Sequence, residues 1–264
     1  MAYFYETHLH TSQTSRCGSS TGAEHARFYK ELGFTGIIVT DHFFNGSCHV
    51  PKNLPWHERI DQFCAGYEDA LQEGQKIGLD VFFGWEHNYA GDDYLVYGLD
   101  KAWMKAHPEM EHWTHREQIE NIRKAGGCVV QAHPFRTRYY IQNVTLGLDY
   151  CDAIEVANAG NDAHNDAFAL AYAQKYGLTV TSGSDNHHSH AGLDTQHEIF
   201  GVVLEERLTS IHDYVRLIRE KRSIGLRIPA DRFTTTDCPP IESFFWDEDR
   251  GLVPTNRPNL SDWK

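Results

Sequence analysis

The sequence predicts an α/β barrel, and three observations lead there. Short apolar runs alternate with amphipathic stretches along most of the 264 residues. Strand, helix, strand in repetition builds a parallel sheet with helices outside. Neither GxGxxG nor GxxxxGK followed by Ser or Thr occurs, so the open dinucleotide-binding sheet and the P-loop fold lose their main support. A hydrophobic content of 41% supplies one sizeable core, and a barrel often fills this length as a single domain.

The strand candidates, in order, are residues 3–10, 36–40 (GIIVT), 80–84 (DVFFG), 94–98 (YLVYG), 128–133 (CVVQAH), 153–156 (AIEV), 178–182 (LTVTS) and 199–204 (IFGVVL). Helices are expected between them. The first, 21–32, opens on Thr21 with Glu24 three residues on, the spacing of a capping box. Residues 56–77 alternate apolar and charged side chains at helical spacing, and 114–125, 162–176 and 210–221 read the same way. Gly33, Gly78, Gly126 and Gly177 fall where helices should stop. Residues 228–264 differ: they carry Pro229, Pro239, Pro240, Pro254 and Pro258 together with Phe244, Phe245, Trp246 and Trp263. The expectation is a barrel domain over 1–227 and an irregular C-terminal extension over 228–264. The extension would pack on the barrel or on a neighbouring subunit, so a homo-oligomer stays open.

Charge narrows the partners. Acidic residues number 37 against 24 basic, for a net charge of −13, and no basic run is present. A long nucleic acid needs a Lys/Arg surface and is disfavoured; a small substrate in a locally metal-neutralised pocket fits better. The six cysteines form no CxxC pair, and none is followed by Arg six residues later, so the Cys-based phosphatase loop is absent. Scattered cysteines suggest free thiols in a reducing cytosol. The opening MAYFYETHLH lacks a basic region followed by an apolar run, so no signal peptide is expected. No stretch approaches the roughly 20 apolar residues of a membrane span. The expected location is cytoplasmic.

In a parallel β/α barrel the reacting groups sit at the C-terminal ends of strands. Those ends carry, in order, His8 and His10; Asp41 and His42; Glu86 beside His87; Asp100; His133, followed by Arg136; Glu155 and Asn158; and Asp185, His187 and His188. His8 and His10, two residues apart on a strand, would point to one face. Neutral imidazoles with carboxylates suit Zn, Mn or Fe. A lone Glu among many His suggests one carboxylate bridging two cations, an arrangement that clamps an in-line displacement at phosphorus.

The motifs HLHTS, TDH, the Glu of GWE, the His of AHP and the DxH of SGSDNH, in that order, resemble those of the PHP (polymerase and histidinol phosphatase) family. The match spans roughly residues 5 to 190. The resemblance implies a distorted (β/α)7 TIM-like barrel, two or three divalent metal ions and phosphoesterase activity. By position it implies that His8 and His10 bind a first metal with Glu86 and Asp185. Glu86 would bridge to a second held by His133, and His42 and His187 would hold a third. Two places depart from the pattern. Many members have a His or Asp five or six residues after HxH, where this chain has Ser15 and Arg16. The family also often has a His near the fourth strand end, where Asp100 is the nearest candidate here.

The reading is a metal-dependent hydrolase of a small phosphomonoester, histidinol-phosphatase-like, with a metal-bound hydroxide as nucleophile. Glu86 is the bridging group, and Arg16 or Arg136 would neutralise the phosphate oxygens. The alternatives are a nuclease or nucleotide phosphodiesterase on the same cluster, a non-catalytic metal-binding domain, and a C–N or C–O hydrolase marked by a carboxylated Lys. Asp41 is expected to orient a ligand or cap a turn. Arg138 reads as a surface residue, and His188 and His190 as loop residues. For Glu155 and Asn158, pocket lining and ordinary strand-end hydrogen bonding stand level. Cys17 and Cys48 default to packing near the mouth.

Overall fold

The four residues of GIIV are all buried, as a strand covered on both faces requires. They form the second strand of a mixed sheet in the computed structural model, which describes residues 2–89, 91–190, 193–195, 197–235 and 238–264. The first half runs β1 (Tyr3–Glu6), α1 (Gly22–Glu31), β2 (Gly36–Val39), α2 (Trp56–Phe63), α3 (Ala65–Ile77), β3 (Asp80–Tyr89), β4 (Asp92–Tyr97), α4 (Lys101–Ala106), α5 (His115–Lys124) and β5 (Cys128–Gln131). The second half adds β6 (Val144–Leu146), β7 (Ala153–Asn158), α6 (Ala163–Tyr176), β8 (Thr179–Gly183), β9 (Gly201–Leu204), α7 (Ile211–Arg219), β10 (Gly225–Arg227), β11 (Ser243–Asp247) and β12 (Gly251–Pro254). Short 3-10 turns occupy Pro108–His112 and Leu260–Asp262.

A nine-stranded sheet has the order β10-β9-β1-β2-β3-β4-β5-β7-β8. It curls until the chain just beyond β1 meets the chain just beyond β8. There Leu9 bridges Asn186 in parallel, and the His10 amide donates to the Asn186 carbonyl (2.8 Å). The result is a nearly closed barrel, as the sequence predicts.

Direction is where the sheet differs from a uniformly parallel one. β4 pairs antiparallel with both β3 and β5, and β9 pairs antiparallel with β1 and β10. The cause is local. Only residues 90 and 91 separate β3 from β4, too few for a parallel crossover.

The helices follow their signals. Thr21 and Thr114 close full capping boxes with Glu24 and Glu117. Gly78 and Gly177 take the left-handed conformation that ends α3 and α6, one that costs glycine nothing. The helix expected over 56–77 is broken at Cys64 into α2 and α3. Beyond the break α3 runs tight against the loop after β1: a Cβ on Gly66 would lie 1.9 Å from the Thr11 Oγ1.

Residues 228–264 add a second sheet, of order β12-β11-β6, in which β11 runs parallel to β6. Trp263 is 1% exposed. It meets Phe135 and Tyr172 edge to face at 5.3 and 5.5 Å, and its Nε1 donates to the Arg257 carbonyl (2.9 Å). Phe135 lies two residues past His133, so this contact braces a strand end that matters below. Trp263→Ala should cost about 3–5 kcal/mol, read as a lowered denaturant midpoint; a loss under about 1 kcal/mol would contradict this packing.

Candidate metal centre

Sheet pairing continues past the strands and brings the polar residues together. His42 bridges Glu86 in parallel; the Glu86 amide donates to the Asp41 carbonyl (3.0 Å) and the Phe43 amide to the Glu86 carbonyl (2.7 Å). The Leu9–Asn186 bridge does the same for His8, His10, Asp185 and His187. The Ala132 amide donates to the Asp93 carbonyl (2.9 Å), which sets His133 beside Asp93. Leu9 is fully buried between two histidines that share the opposite face.

Glu86, 1% exposed, stands at the centre. Its Oε1 lies 3.1 Å from His8 Nε2 and 3.3 Å from His133 Nε2. Its Oε2 lies 2.7 Å from His42 Nδ1 and 3.4 Å from His10 Nε2. Asp185 Oδ1 closes the group at 3.1 Å from His10 Nε2 and 3.5 Å from His8 Nε2. Four sets of three side chains bring ligand atoms within 4.8 Å of one another: His8, Glu86 and His133; His8, His10 and Asp185; His42, Glu86 and Asp93; and His10, His42 and His187.

Neighbouring groups fix which nitrogen faces inward. His8 Nδ1 is 3.0 Å from Glu155 Oε1; a carboxylate only accepts, so Nδ1 carries the proton. The Ser15 hydroxyl donates to Asp41 Oδ1 (2.6 Å) and lies 3.3 Å from His10 Nδ1, which must therefore be the donor of that pair. His187 Nδ1 donates to the Asp185 carbonyl (2.7 Å). All three rings thus turn Nε2, the nitrogen left to take a cation or a proton, inward. Glu155 also accepts from the His133 amide (2.9 Å) and from Asn158 Nδ2 (2.8 Å). Asp41 takes both the amide and the hydroxyl of Thr11 (2.7 Å each).

Lone pairs facing lone pairs in a buried site need a cation or a proton between them. His8 Nε2, His10 Nε2, His42 Nδ1 and Glu86 Oε2 are all buried, and the groups that face them at 2.7–3.5 Å are one another's side chains and Asp185. Protons do part of that work in the protein alone. Burial pushes Glu86 up, but the charges of His42 and His8 outweigh it and hold the carboxyl well below its usual range. Asp185 is held down against burial by His8 and Arg136. His8 is driven well above its ordinary value by Glu155, Asp185 and Glu86, against burial. His10 is driven well below by burial and His42. Divalent cations fit this donor set of imidazoles and carboxylates and would replace those protons.

Backbone strain accompanies the ligands. His133 and Asp185 have φ of 30° and 55°, a region that non-glycine residues adopt at a cost where a site requires it. Gly183 is equally constrained: a Cβ there would sit 2.6 Å from the His8 Cβ and 2.8 Å from Glu155 Oε1.

Of the residues singled out in the sequence, His8, His10, His42, Glu86, His133, Asp185 and His187 converge. Asp100 does not. Because β4 runs antiparallel, its C-terminal end lies at the far end of the barrel, and Asp100 caps α4 by accepting from the Trp103 amide (2.8 Å). The start of β4 reaches the cluster instead, with Asp93 Oδ2 3.9 Å from His133 Nε2. A turn glycine between two strand-like runs, GDDYLVY, was the available signal for a hairpin. Arg136 uses its guanidinium on the protein: Nη1 on Asp185 Oδ2 (2.9 Å), Nη2 on Asn158 and Nε on Asn161. Arg16 is exposed and donates from Nε to the Cys48 carbonyl (2.8 Å). Cys17 reaches both His42 and His187, whose rings outweigh burial and bring its thiol down to about 6. Arg232, from the extension, holds Asp166 and the carbonyls of Asn158 and Asn161.

A narrow cavity opens beside the cluster, lined by Asp93, His133, Arg136, Tyr140, Ile141 and Val144 among others. The larger cavity, about 850 Å³, lies at the other end of the barrel around Ala2, Arg207 and Arg222 and includes no cluster residue.

No protein-family model matches the chain, and no curated protein does. Solved structures do. A two-domain protein from Bacteroides vulgatus, named as containing a predicted PHP-like metal-dependent phosphoesterase, aligns over 96% of this chain and 74% of its own at 13% identity and a TM-score of 0.63. A Bifidobacterium adolescentis protein, provisionally named a metal-dependent phosphoesterase, aligns over 83% of this chain and 96% of its own at 18% identity and TM-score 0.53. An amidohydrolase from Chromobacterium violaceum, solved with bound sulfate and no metal, aligns over 86% and 98% at 15% identity and TM-score 0.51. At these identities the likeness establishes the fold, a TIM-like barrel. Glu155→Gln should weaken Zn2+ or Mn2+ binding about 10–100-fold, as loss of a ligand-orienting carboxylate does; unchanged affinity in a competition titration would remove Glu155 from that role.

Proposed function

We propose that the chain is a PHP-type metal-dependent phosphoesterase. The observation that carries the reading is Glu86, a buried carboxylate whose two oxygens face four imidazoles. His8, His10, Asp185 and Glu86 would hold one divalent cation. Glu86, His133 and Asp93 would hold a second, and His42 and His187 a third. Zn, Mn and Fe all suit the donors. When bound, such cations supply an activated water near neutral pH and Lewis-acid contacts to phosphoryl oxygens.

The chain's own residues do the rest. Glu155 and the Asp41–Ser15 pair hold His8 and His10 in one tautomer and orientation. Arg136 holds Asp185 by its outer oxygen and acts as a positioning residue. Arg16, on the loop beside His42, is the arginine whose exposed position suits contact with an incoming phosphate. The narrow cavity by Asp93 and His133 favours a small phosphomonoester, the histidinol-phosphatase-like reading. A nucleotide phosphodiester is the second reading, because Tyr140 lines that cavity and Tyr139 beside it is 100% exposed; exposed rings are what nucleobases stack on. A carboxylated Lys would mark a C–N hydrolase, and none of the described strands contains a Lys. No described helix is long and apolar enough to cross a membrane.

Metal analysis with a panel of phosphomonoesters and phosphodiesters tests the reading. Chelation should abolish phosphate release, and Mn2+ or Zn2+ should restore it. Glu86→Gln should lower kcat/KM about 100-fold or more, the scale of losing several kcal/mol of transition-state stabilisation. Activity within a few-fold of the parent, or a protein that binds no metal, would end the proposal.

A further inference from the structure

The turn between β7 and α6 lies one layer out from Asp185 and supplies none of the four ligand sets. It presents two side-chain oxygens to Arg136. Asn158 Oδ1 accepts from Nη2 (2.8 Å) and Asn161 Oδ1 from Nε (2.7 Å), while Nη1 meets Asp185 Oδ2 (2.9 Å). A planar guanidinium gripped at three edges has one orientation. Beneath the turn is Asp166, fully buried. Its Oδ1 accepts from Asn161 Nδ2 (2.8 Å) and its Oδ2 from the Asn158 amide (3.1 Å). Arg232 closes the arrangement from the C-terminal segment. Its Nε donates to Asp166 Oδ2 (2.8 Å), and its Nη2 donates to both the Asn158 carbonyl (2.9 Å) and the Asn161 carbonyl (2.7 Å). The guanidinium also lies 5.1 Å from the Phe200 ring centroid, and the side chain is 13% exposed. One fork thus neutralises the buried carboxylate and ties both ends of the turn on which Arg136 rests.

We propose that Arg232 is a positioning residue of the metal centre: through the turn at residues 158–161 and Arg136 it fixes how Asp185 is presented to the cation it would share with His8 and His10. The inference rests on the metal-cluster reading above and deepens it. It makes the C-terminal segment part of the site, although the four ligand sets all come from residues 8–187. The geometry calls for a guanidinium. Three acceptors in two directions ask for a rigid fork; a lysine ammonium would bring the charge to Asp166 without the spacing that holds both carbonyls. A purely structural role would ask only that Asp166 be neutralised, since a buried carboxylate that loses its partner destabilises a fold wherever it lies. The two roles separate when both charges are removed together.

The test uses the full chain, stripped with a chelator and titrated with Zn2+ in competition with a chromophoric chelator, beside thermal melting of the metal-free protein. Arg232→Gln should weaken Zn2+ binding about tenfold, the lower end of the range for groups that orient a ligand, and should lower the melting temperature. Asp166→Asn combined with Arg232→Gln leaves no unpaired buried charge. It should melt closer to the parent yet keep the weakened affinity, and it carries the test even where the single variant does not fold. Arg136→Gln removes the link between the turn and Asp185; adding Arg232→Gln to it should cost less than about a further threefold, as coupled positions do. Three results each overturn the assignment and leave the cluster standing. One is a Zn2+ affinity within about twofold of the parent in Arg232→Gln. Another is an affinity that recovers along with the melting temperature in the paired variant. The third is a loss on Arg232→Gln that repeats in full on the Arg136→Gln background. A parent chain that binds no metal overturns the metal reading itself, and this inference with it.

Discussion

A carboxylate without water must have partners, and the mouth of this barrel is arranged around that constraint at Glu86. Each of its oxygens faces two imidazoles. Those imidazoles come from three segments of chain, and Glu155 and Ser15 hold the His8 and His10 rings from behind. Removing any one partner would leave buried charge or bare lone pairs on the others. The site therefore behaves as a unit in which cations, or failing them shared protons, keep like groups from repelling.

The scaffold serves this unit in two ways. Hydrogen-bond ladders that run past the strand ends set the ligands side by side, His42 with Glu86 and His10 with Asp185. A second layer then fixes orientation. Glu155 ties His8, the His133 backbone and Asn158 together. Arg136 links Asp185 to Asn158 and Asn161, and Arg232 reaches in from the C-terminal segment to the same pair of asparagines. The strained backbone at His133 and Asp185 is tolerated because these contacts overdetermine it.

Much of this was legible in the chain. Period-two spacing put His8 and His10 on one face, and the strand-end rule picked out His42, Glu86, His133, Asp185 and His187 without knowledge of contacts. The capping box at Thr21 and the stops at Gly78 and Gly177 were local signals, locally obeyed. Asp100 was misplaced because strand direction is not local. The GDD turn reverses β4, which sends Asp100 to the far end and Asp93 to the cluster. Cys17 was read as packing near the mouth, because one cysteine in a loop carries no pattern; the fold leaves it exposed.

Sequence alone determined the donor chemistry: which side chains are imidazole or carboxylate, and which strand ends carry them. That information is written in residue type and short-range periodicity, and no folding is needed to read it. Tertiary structure alone decided which donors meet, which ring nitrogen faces inward, which arginine is occupied by the protein and which thiol stands at the edge. Those outcomes depend on strand direction, barrel closure and second-layer hydrogen bonds. Each joins residues tens to hundreds of positions apart, a separation over which local pattern carries no signal.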